Sequence, residues 1–241
     1  MKKIISTAFS LLAIHGLVSC SSESGSGGTQ VKTEFKNNTG GSSAKLSTRS
    51  LAANEDATTF QVKLISVYLA EDIDSMTFNN VGQTSMIFLN NDCQDDIMHC
   101  DISAGVAEDS APMDKIISSY FDFALPTEQV NAALNAQNRA VTPGTYKYAR
   151  IEFCKYNTGM VDNVKWGSAS VTPAEEYRAG ACTANSAVFD PPLTIADGDT
   201  VTVTLSYNLT GVVESSTALG DNCANGFCLN LPTFTPSATV Q

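Results

Sequence analysis

Thr200-Val201-Thr202-Val203-Thr204-Leu205-Ser206-Tyr207-Asn208-Leu209 is the stretch that decides the fold. Val201, Val203, Leu205, Tyr207 and Leu209 fall on one side of an extended chain, and Thr202, Thr204, Ser206 and Asn208 on the other. Strict period-two alternation of this length marks a strand with one buried and one wet face. Asp197-Gly198-Asp199 introduces it as a turn.

Working outward, the same grammar recurs. Phe60, Val62 and Leu64 alternate, and Ile65, Val67 and Leu69 continue in the opposite phase, which predicts a bulge or a strand buried on both faces. Ser85 to Leu89 is a second apolar run, closed by Asn90-Asn91-Asp92, and Ile116 to Leu125 a third, around Tyr120, Phe121 and Phe123. Pro143-Gly144 turns into an aromatic-rich strand from Thr145 to Tyr156. A looser stretch follows with Trp166, Pro173 and Gly180, and a final strand is predicted from Phe227 to Phe234. One helix is predicted, opening at Pro126-Thr127-Glu128 with Thr127 as its cap and running to about Asn138 behind Val130, Ala133 and Leu134. Short strands, turn residues and a single short helix predict a mainly β chain, an antiparallel β-sandwich. Residues 57–241 are ample for one core.

The N-terminal end supplies an address. Lys2 and Lys3 precede a mostly apolar stretch from Ile4 to Val18, too short and too polar to span a bilayer, which reads as a signal peptide over residues 1–19. Leu17-Val18-Ser19-Cys20 resembles the bacterial lipobox, and the resemblance implies cleavage before Cys20 and lipidation of its thiol. Two or three acyl chains, at about 0.8 kcal/mol per buried methylene, anchor a protein stably. Ser21 in place of Asp after the Cys implies, by the same resemblance, sorting to the outer membrane. Residues 20–56, poor in large apolar groups and opening with Ser21-Ser22-Glu23-Ser24-Gly25-Ser26-Gly27-Gly28, are expected to be a flexible linker. Losing Lys2 and Lys3 leaves 12 Lys+Arg against 25 Asp+Glu, a net charge of −13. Such a surface is a poor match for nucleic acid or anionic headgroups.

With Cys20 assigned to lipid, six of the seven cysteines remain, an even number that implies a disulfide framework in an exported chain. Six cysteines permit about 15 connectivities. Local spacing favours Cys93–Cys100, Cys154–Cys182 and Cys223–Cys228. A zinc site would want closely spaced Cys or His pairs, and past residue 19 the only histidine is His99.

Gly144-Thr145-Tyr146-Lys147-Tyr148-Ala149-Arg150-Ile151 resembles the Gly-x-Tyr-x-x-x-Arg strand of an uncharacterised domain-of-unknown-function family found in secreted bacterial lipoproteins. There an earlier strand like Gln61 to Leu69 and a later one like Thr200 to Leu209 flank it, the latter after a turn segment similar to Leu193 to Gly198. The resemblance covers roughly residues 57 to 215. It implies a sandwich of prealbumin-like or immunoglobulin-like character and supplies no catalytic residues. The six cysteines and the Cys93–Cys100 insertion depart from that pattern. Tyr146 and Arg150, four apart on a strand, are expected to share one face, the first packing and the second pairing with an acid.

Catalytic motifs are few. Ser42-Ser43-Ala44-Lys45 has the spacing of a Ser-x-x-Lys nucleophile but sits in low-complexity sequence, and His99 is the one base available to a triad. Asp92, Asp95, Asp96 and Asp101 surround the proposed Cys93–Cys100 bridge, and such hard oxygen ligands suit calcium. Their spacing lacks the Gly and terminal Glu of an EF-hand, so a solvated acidic loop with no cofactor is the plainer expectation, and Asp72 and Asp74 are read likewise. Two classes of function remain. One is a membrane-anchored, non-catalytic binding, adhesion or structural module whose loops recognise a protein or glycan. The other is an envelope hydrolase using a carboxylate pair.

Overall fold

The computed structural model describes residues 28–39, 54–62, 64–75, 79–90, 120–153, 164–171, 175–177, 183–217, 223–224 and 226–241. Two four-stranded sheets form the body. The first runs in the order β15 (Thr235–Val240), β11 (Thr200–Tyr207), β1 (Gln30–Asn37), β6 (Arg139–Ala140). The second runs β10 (Thr183–Ile195), β7 (Gly144–Phe153), β3 (Leu64–Ile73), β4 (Asn80–Leu89), antiparallel throughout. A third comprises β5 (Phe121–Asp122), β2 (Thr59–Val62), β8 (Val164–Gly167) and β9 (Glu175–Tyr177), and a small fourth joins β12 (Val213–Ser215), β14 (Phe227–Leu229) and β13 (Cys223–Ala224). Among the described residues the chain is mainly β, with mostly antiparallel sheets, one short helix and a single hydrophobic core, in keeping with a β-sandwich.

The decisive stretch behaves as its alternation requires. Val201, Val203, Leu205, Tyr207 and Leu209 are buried, while Thr202, Thr204 and Ser206 are part-exposed. The phase switch between Leu64 and Ile65 falls where β3 slips in register on β7, between Leu64 and Ser66, just after the chain passes from β2 in the third sheet to β3 in the second. β3 is then buried on both faces from Leu64 to Val67, and its pairing with β4 slips at two places.

Several expectations are corrected. The linker assigned to residues 20–56 contains β1, which is central in its sheet and lies parallel to β11, with Phe35 opposite Leu205. Thr29, Val31, Thr33 and Phe35 are buried, so the folded domain begins near Thr29 and not at residue 57. The physical reason is plain in the burial: Val31, Thr33 and Phe35 point inward, while Lys32 and Lys36 remain in water. Glu55, within the same expected linker, bridges to Val213. The stretch before β11 is corrected too. Leu193 to Ile195 completes β10, and only Ala196 to Asp199 turns, with Asp199 Oδ2 accepting from the Ala196 N–H at 2.7 Å. β10 carries Pro191 and Pro192, which lack ladder donors, and its register on β7 jumps between Val188 and Leu193. The predicted last strand is realised only as β14, to Leu229, and β15 follows beyond Phe234, outside the predicted span.

The helix, α1 (Thr127–Leu134), is shorter than predicted because Asn135 takes the left-handed conformation (φ 46°) and closes it. Thr127 is not its cap. Its Oγ1 instead accepts from the Asn37 N–H at 3.1 Å. One turn on, the Asn131 carboxamide accepts from the Phe35 N–H at 2.9 Å and donates to the Phe35 carbonyl at 2.8 Å. Alternate strand residues repeat every ~6.8 Å and a helical turn rises ~5.4 Å, so residues four apart on α1 meet residues two apart on β1. Beyond Val31, where β6 stops pairing, α1 continues the ladder with side chains.

Aromatic packing fastens the layers. Phe123 lies edge-on to Phe35 (5.1 Å between centroids), Tyr207 (5.4 Å), Phe60 (6.3 Å) and Phe234 (6.5 Å). The Tyr207 hydroxyl donates to the Phe123 carbonyl at 2.7 Å. Across the sandwich, Thr33 Oγ1 donates to the Ile87 carbonyl at 2.9 Å.

Two deletions locate the start of the folded domain. Removing residues 22–27 is expected to leave the thermal midpoint unchanged, whereas removing residues 29–38 abolishes cooperative unfolding by circular dichroism. In the intact chain, Phe123→Ala is expected to cost about 3–5 kcal/mol in denaturant unfolding.

Candidate functional site

β7 gathers the polar groups of the interior. In its C-terminal half Ala149, Ile151 and Phe153 face the core, leaving Arg150 and Glu152 two apart on the opposite face. Register completes the group: Ser66 of β3 lies opposite Glu152, and Tyr68 of β3 and Ser186 of β10 flank Arg150. Arg150 is 4% exposed, Glu152 0% and Ser66 1%. Arg150 Nε stands 3.3 Å from Glu152 Oε1, an ion pair without good hydrogen-bond geometry. Ser66 Oγ donates to Glu152 Oε2 at 2.5 Å. Among the described residues, the buried Arg150 Nη1 and Ser186 Oγ find no hydrogen-bond partner.

Such a cluster can bind charge or hold shape. A buried ion pair contributes little net stability, because desolvation offsets the attraction, yet removing one partner strands the other. The expectation that Arg150 pairs with an acid is met by Glu152. The expectation that Tyr146 shares its face is not. Tyr146 reaches the side carrying Leu69 and Ser85: its hydroxyl donates to the Thr142 carbonyl at 2.6 Å and lies 2.9 Å from Ser85 Oγ. β10 changes register on β7 over the same stretch, between Tyr148 and Tyr146.

Other displaced groups are braces as well. Glu55 accepts from Ser168 Oγ at 2.5 Å, from the Ser170 N–H at 2.9 Å and from the Ser170 hydroxyl, tying the loop after β8 to the strand region at Val213. Desolvation acts to raise its carboxyl, but these donors together hold it below the ordinary value of 4.5. Burial, with the Asp122 carboxylate adding to it, pushes the Tyr207 phenol well above its usual range. Asp122 Oδ1 itself accepts from the N–H groups of Phe60 and Ala124, at 3.2 and 3.0 Å, and holds the turn that presents Phe123.

Of the cysteines, Cys223 and Cys228 form a disulfide between directly paired residues of β13 and β14, as their spacing favoured. Cys20, Cys93, Cys100, Cys154 and Cys182 lie outside the described residues, as do Asp92, Asp95, Asp96, Asp101, His99, Ser42 and Lys45. Asp72 lies near the end of β3, opposite Val81, and its Oδ1 accepts from the Ile73 N–H at 2.9 Å. Among the described residues, no group of three or more His, Cys, Asp or Glu could hold a metal ion. No helix among them is long and apolar enough to cross a membrane.

Glu152 was not singled out by the sequence reading. Its signature is Arg150-x-Glu152, two opposite charges on one face of an apolar strand.

Single substitutions Glu152→Leu and Arg150→Met are each expected to lower unfolding free energy by about 3–5 kcal/mol, while the double variant recovers most of that loss. A double-mutant cycle in urea reads the difference. Because the Glu55 carboxyl is depressed in the folded chain, its stabilisation is present at neutral pH and disappears as pH falls below 4.5 through the folded-state value. Glu55 is partly exposed, so the effect should stay under about 1 kcal/mol. Glu55→Gln should flatten the acid limb of the stability curve.

The chain matches no protein-family model, no curated protein and no solved structure.

Proposed function

We propose that the chain is a lipid-anchored outer-membrane lipoprotein whose β domain is a non-catalytic binding, adhesion or structural module of the cell envelope. The observation that carries the reading is the employment of its charged and phenolic groups. Glu55, Asp122 and Tyr207 each bond the backbone of a distant segment, and Glu152, beside Arg150, takes the hydroxyl of Ser66 from the neighbouring strand. Groups so engaged hold shape and leave recognition to exposed loops.

The position of β1 sharpens the proposal. Between Cys20 and the buried Thr29 lie eight residues, Ser21 to Gly28. Fully extended they reach about 28 Å, and as a flexible coil about 16 Å. The end of the domain at Thr29 therefore stands close to the lipid headgroups. Thr29 Oγ1 donates to the Ala196 carbonyl and accepts from the Gly198 N–H, so the Ala196 to Asp199 turn shares that end. Strands β1 and β11 run parallel away from it, which puts the turn at Asn208 to Gly211 at the far end, free to meet a protein or glycan partner.

Mass analysis of the mature protein is expected to find Cys20 as an acylated N-terminus, and Cys20→Ser is expected to move the protein from the membrane to the soluble fraction. A photo-crosslinking side chain at position 197 should then capture lipid, and one at position 210 should not. An unacylated N-terminus, or equal lipid capture at both positions, would overturn the proposal. Hydrolysis of envelope glycans by the purified protein, lost on removal of two carboxylates, would replace it with the hydrolase reading.

A further inference from the structure

β15 is an open edge. It pairs with β11 on one side, and no described strand pairs with the other. Thr200 and Gln241 exchange backbone hydrogen bonds, at 3.2 and 2.9 Å. Antiparallel ladders alternate, so with Thr202 opposite Thr239 and Thr204 opposite Ser237, residues 235, 237 and 239 direct their backbone groups to β11. Pro236, Ala238 and Val240 direct theirs outward. Pro236 has no N–H, leaving Ala238 and Val240 as the two outward donors.

The side chains are equally open. Pro236, Ala238 and Val240 lie opposite Leu205, Val203 and Val201, three fully buried residues, and so share the core-facing side of the sheet. Yet Ser237 to Val240 are all exposed, Val240 at 46%. The strand approaches β10 of the second sheet, yet Ala238 and Val240 of this row remain open to water. It also carries no charge, in a chain of net charge −11, where edge strands are ordinarily guarded by charged residues.

We infer that β15 pairs, antiparallel and edge to edge, with β15 of a second copy of this chain, about a two-fold axis at Ala238. The register is self-complementary. Ala238 and its symmetry mate exchange two hydrogen bonds, and each Val240 N–H meets the Pro236 carbonyl of the other copy. All four outward donors are used, and the donor that Pro236 lacks is the one the pairing does not require at its centre. A neutral strand lets two acidic molecules meet at their least repulsive edge, and it sets Val240 against the proline of its mate. The joined sheet would have eight strands. The contact is small, at the weak and transient end of interfaces, so it is to be sought at on the order of 0.1–1 mM.

The pairing has a directional consequence, which rests on the lipid anchor proposed above. Antiparallel β15 strands send the two Thr29 ends in opposite directions, so with strands along the membrane normal, anchored copies meet from facing membranes and not as neighbours.

The test uses the exported chain with Cys20→Ser, followed by translational diffusion and amide exchange in NMR from about 0.02 to 1 mM. Diffusion should slow toward that of a dimer as concentration rises. The Ala238 and Val240 amides should gain severalfold protection over the same range, while those of Ser237 and Thr239 stay protected throughout. Ala238→Lys, which leaves the backbone intact and sets two cations together at the axis, should abolish both changes. A constant diffusion coefficient with open Ala238 and Val240 amides would overturn the inference. So would protection of those amides at every dilution, since another segment of the same chain would then cover the edge. Clustering of phosphatidylethanolamine–phosphatidylglycerol vesicles carrying the lipidated chain, lost with Ala238→Lys, supports the facing-membrane geometry. Vesicles that stay apart while the soluble chain pairs would overturn that geometry alone, and loss of membrane recovery on fractionation would count against the anchor instead.

Discussion

The hydrogen-bonded insertion of β1 between β11 and the β6–α1 side is the constraint on which the rest of the structure depends. β11 has the strongest alternation in the chain, but its β1-side ladder groups need a partner, and the parallel pairing from Gln30 to Asn37 supplies it over the whole length of the strand. The other edge of β1 is satisfied in two media, by strand β6 as far as Val31 and then by Asn131 and Thr127 of the helix. Unmet backbone groups in so buried a strand would cost on the order of 1–3 kcal/mol each, so the helix is required there as a surrogate strand. From this placement follows the position of Phe35, hence the aromatic contacts of Phe123, hence the closure of the first sheet on the third.

Polar groups repeat the logic at smaller scale. Asn37 Nδ2 donates to the carbonyls of Phe123 and Leu125, both at 3.1 Å, and fixes the turn that leads into α1. Gln83 Nε2 bonds the Pro143 carbonyl and the Tyr146 hydroxyl, each at 2.9 Å, fastening β4 to the start of β7. The Arg150–Glu152 pair differs in joining two buried charges of one strand, 3.3 Å apart. Its energetic role is conditional: small as a pair, large when broken.

Legibility followed the purity of the pattern. β11, β7 and the Ser85 to Leu89 half of β4 were readable because each carries a dense set of buried apolar residues, whereas the first half of β4 is largely exposed and gave no such signal; the turns at Pro143-Gly144 and Asp197-Gly198 are chemically explicit. β1 was hidden by its surroundings. Val31, Thr33 and Phe35 alternate with Lys32, Glu34 and Lys36, but the Ser- and Gly-rich flanks on both sides dilute that signal when composition is averaged over residues 20–56. β10 was hidden by Pro191 and Pro192, which argue locally against a strand and are accommodated by a register jump that no single-strand reading contains. Thr127 looked like a cap because capping is local, whereas its partner Asn37 lies 90 residues away. The same distance effect governs the site: Arg150 was visible, but its burial beside Tyr68, across 82 residues of sequence, is a property of register. The Cys223–Cys228 bridge, by contrast, was legible because both partners sit in one hairpin.

Residue-resolved amide exchange of the native chain addresses the central constraint directly. The amides of Lys32, Glu34 and Lys36, which alternate with those facing α1 and so point toward β11, should exchange only through global unfolding. Their protection should equal that of Val203 and Leu205. Exchange of these three orders of magnitude faster than of β11, as in a flexible tether, would contradict a fold built around its N-terminal strand.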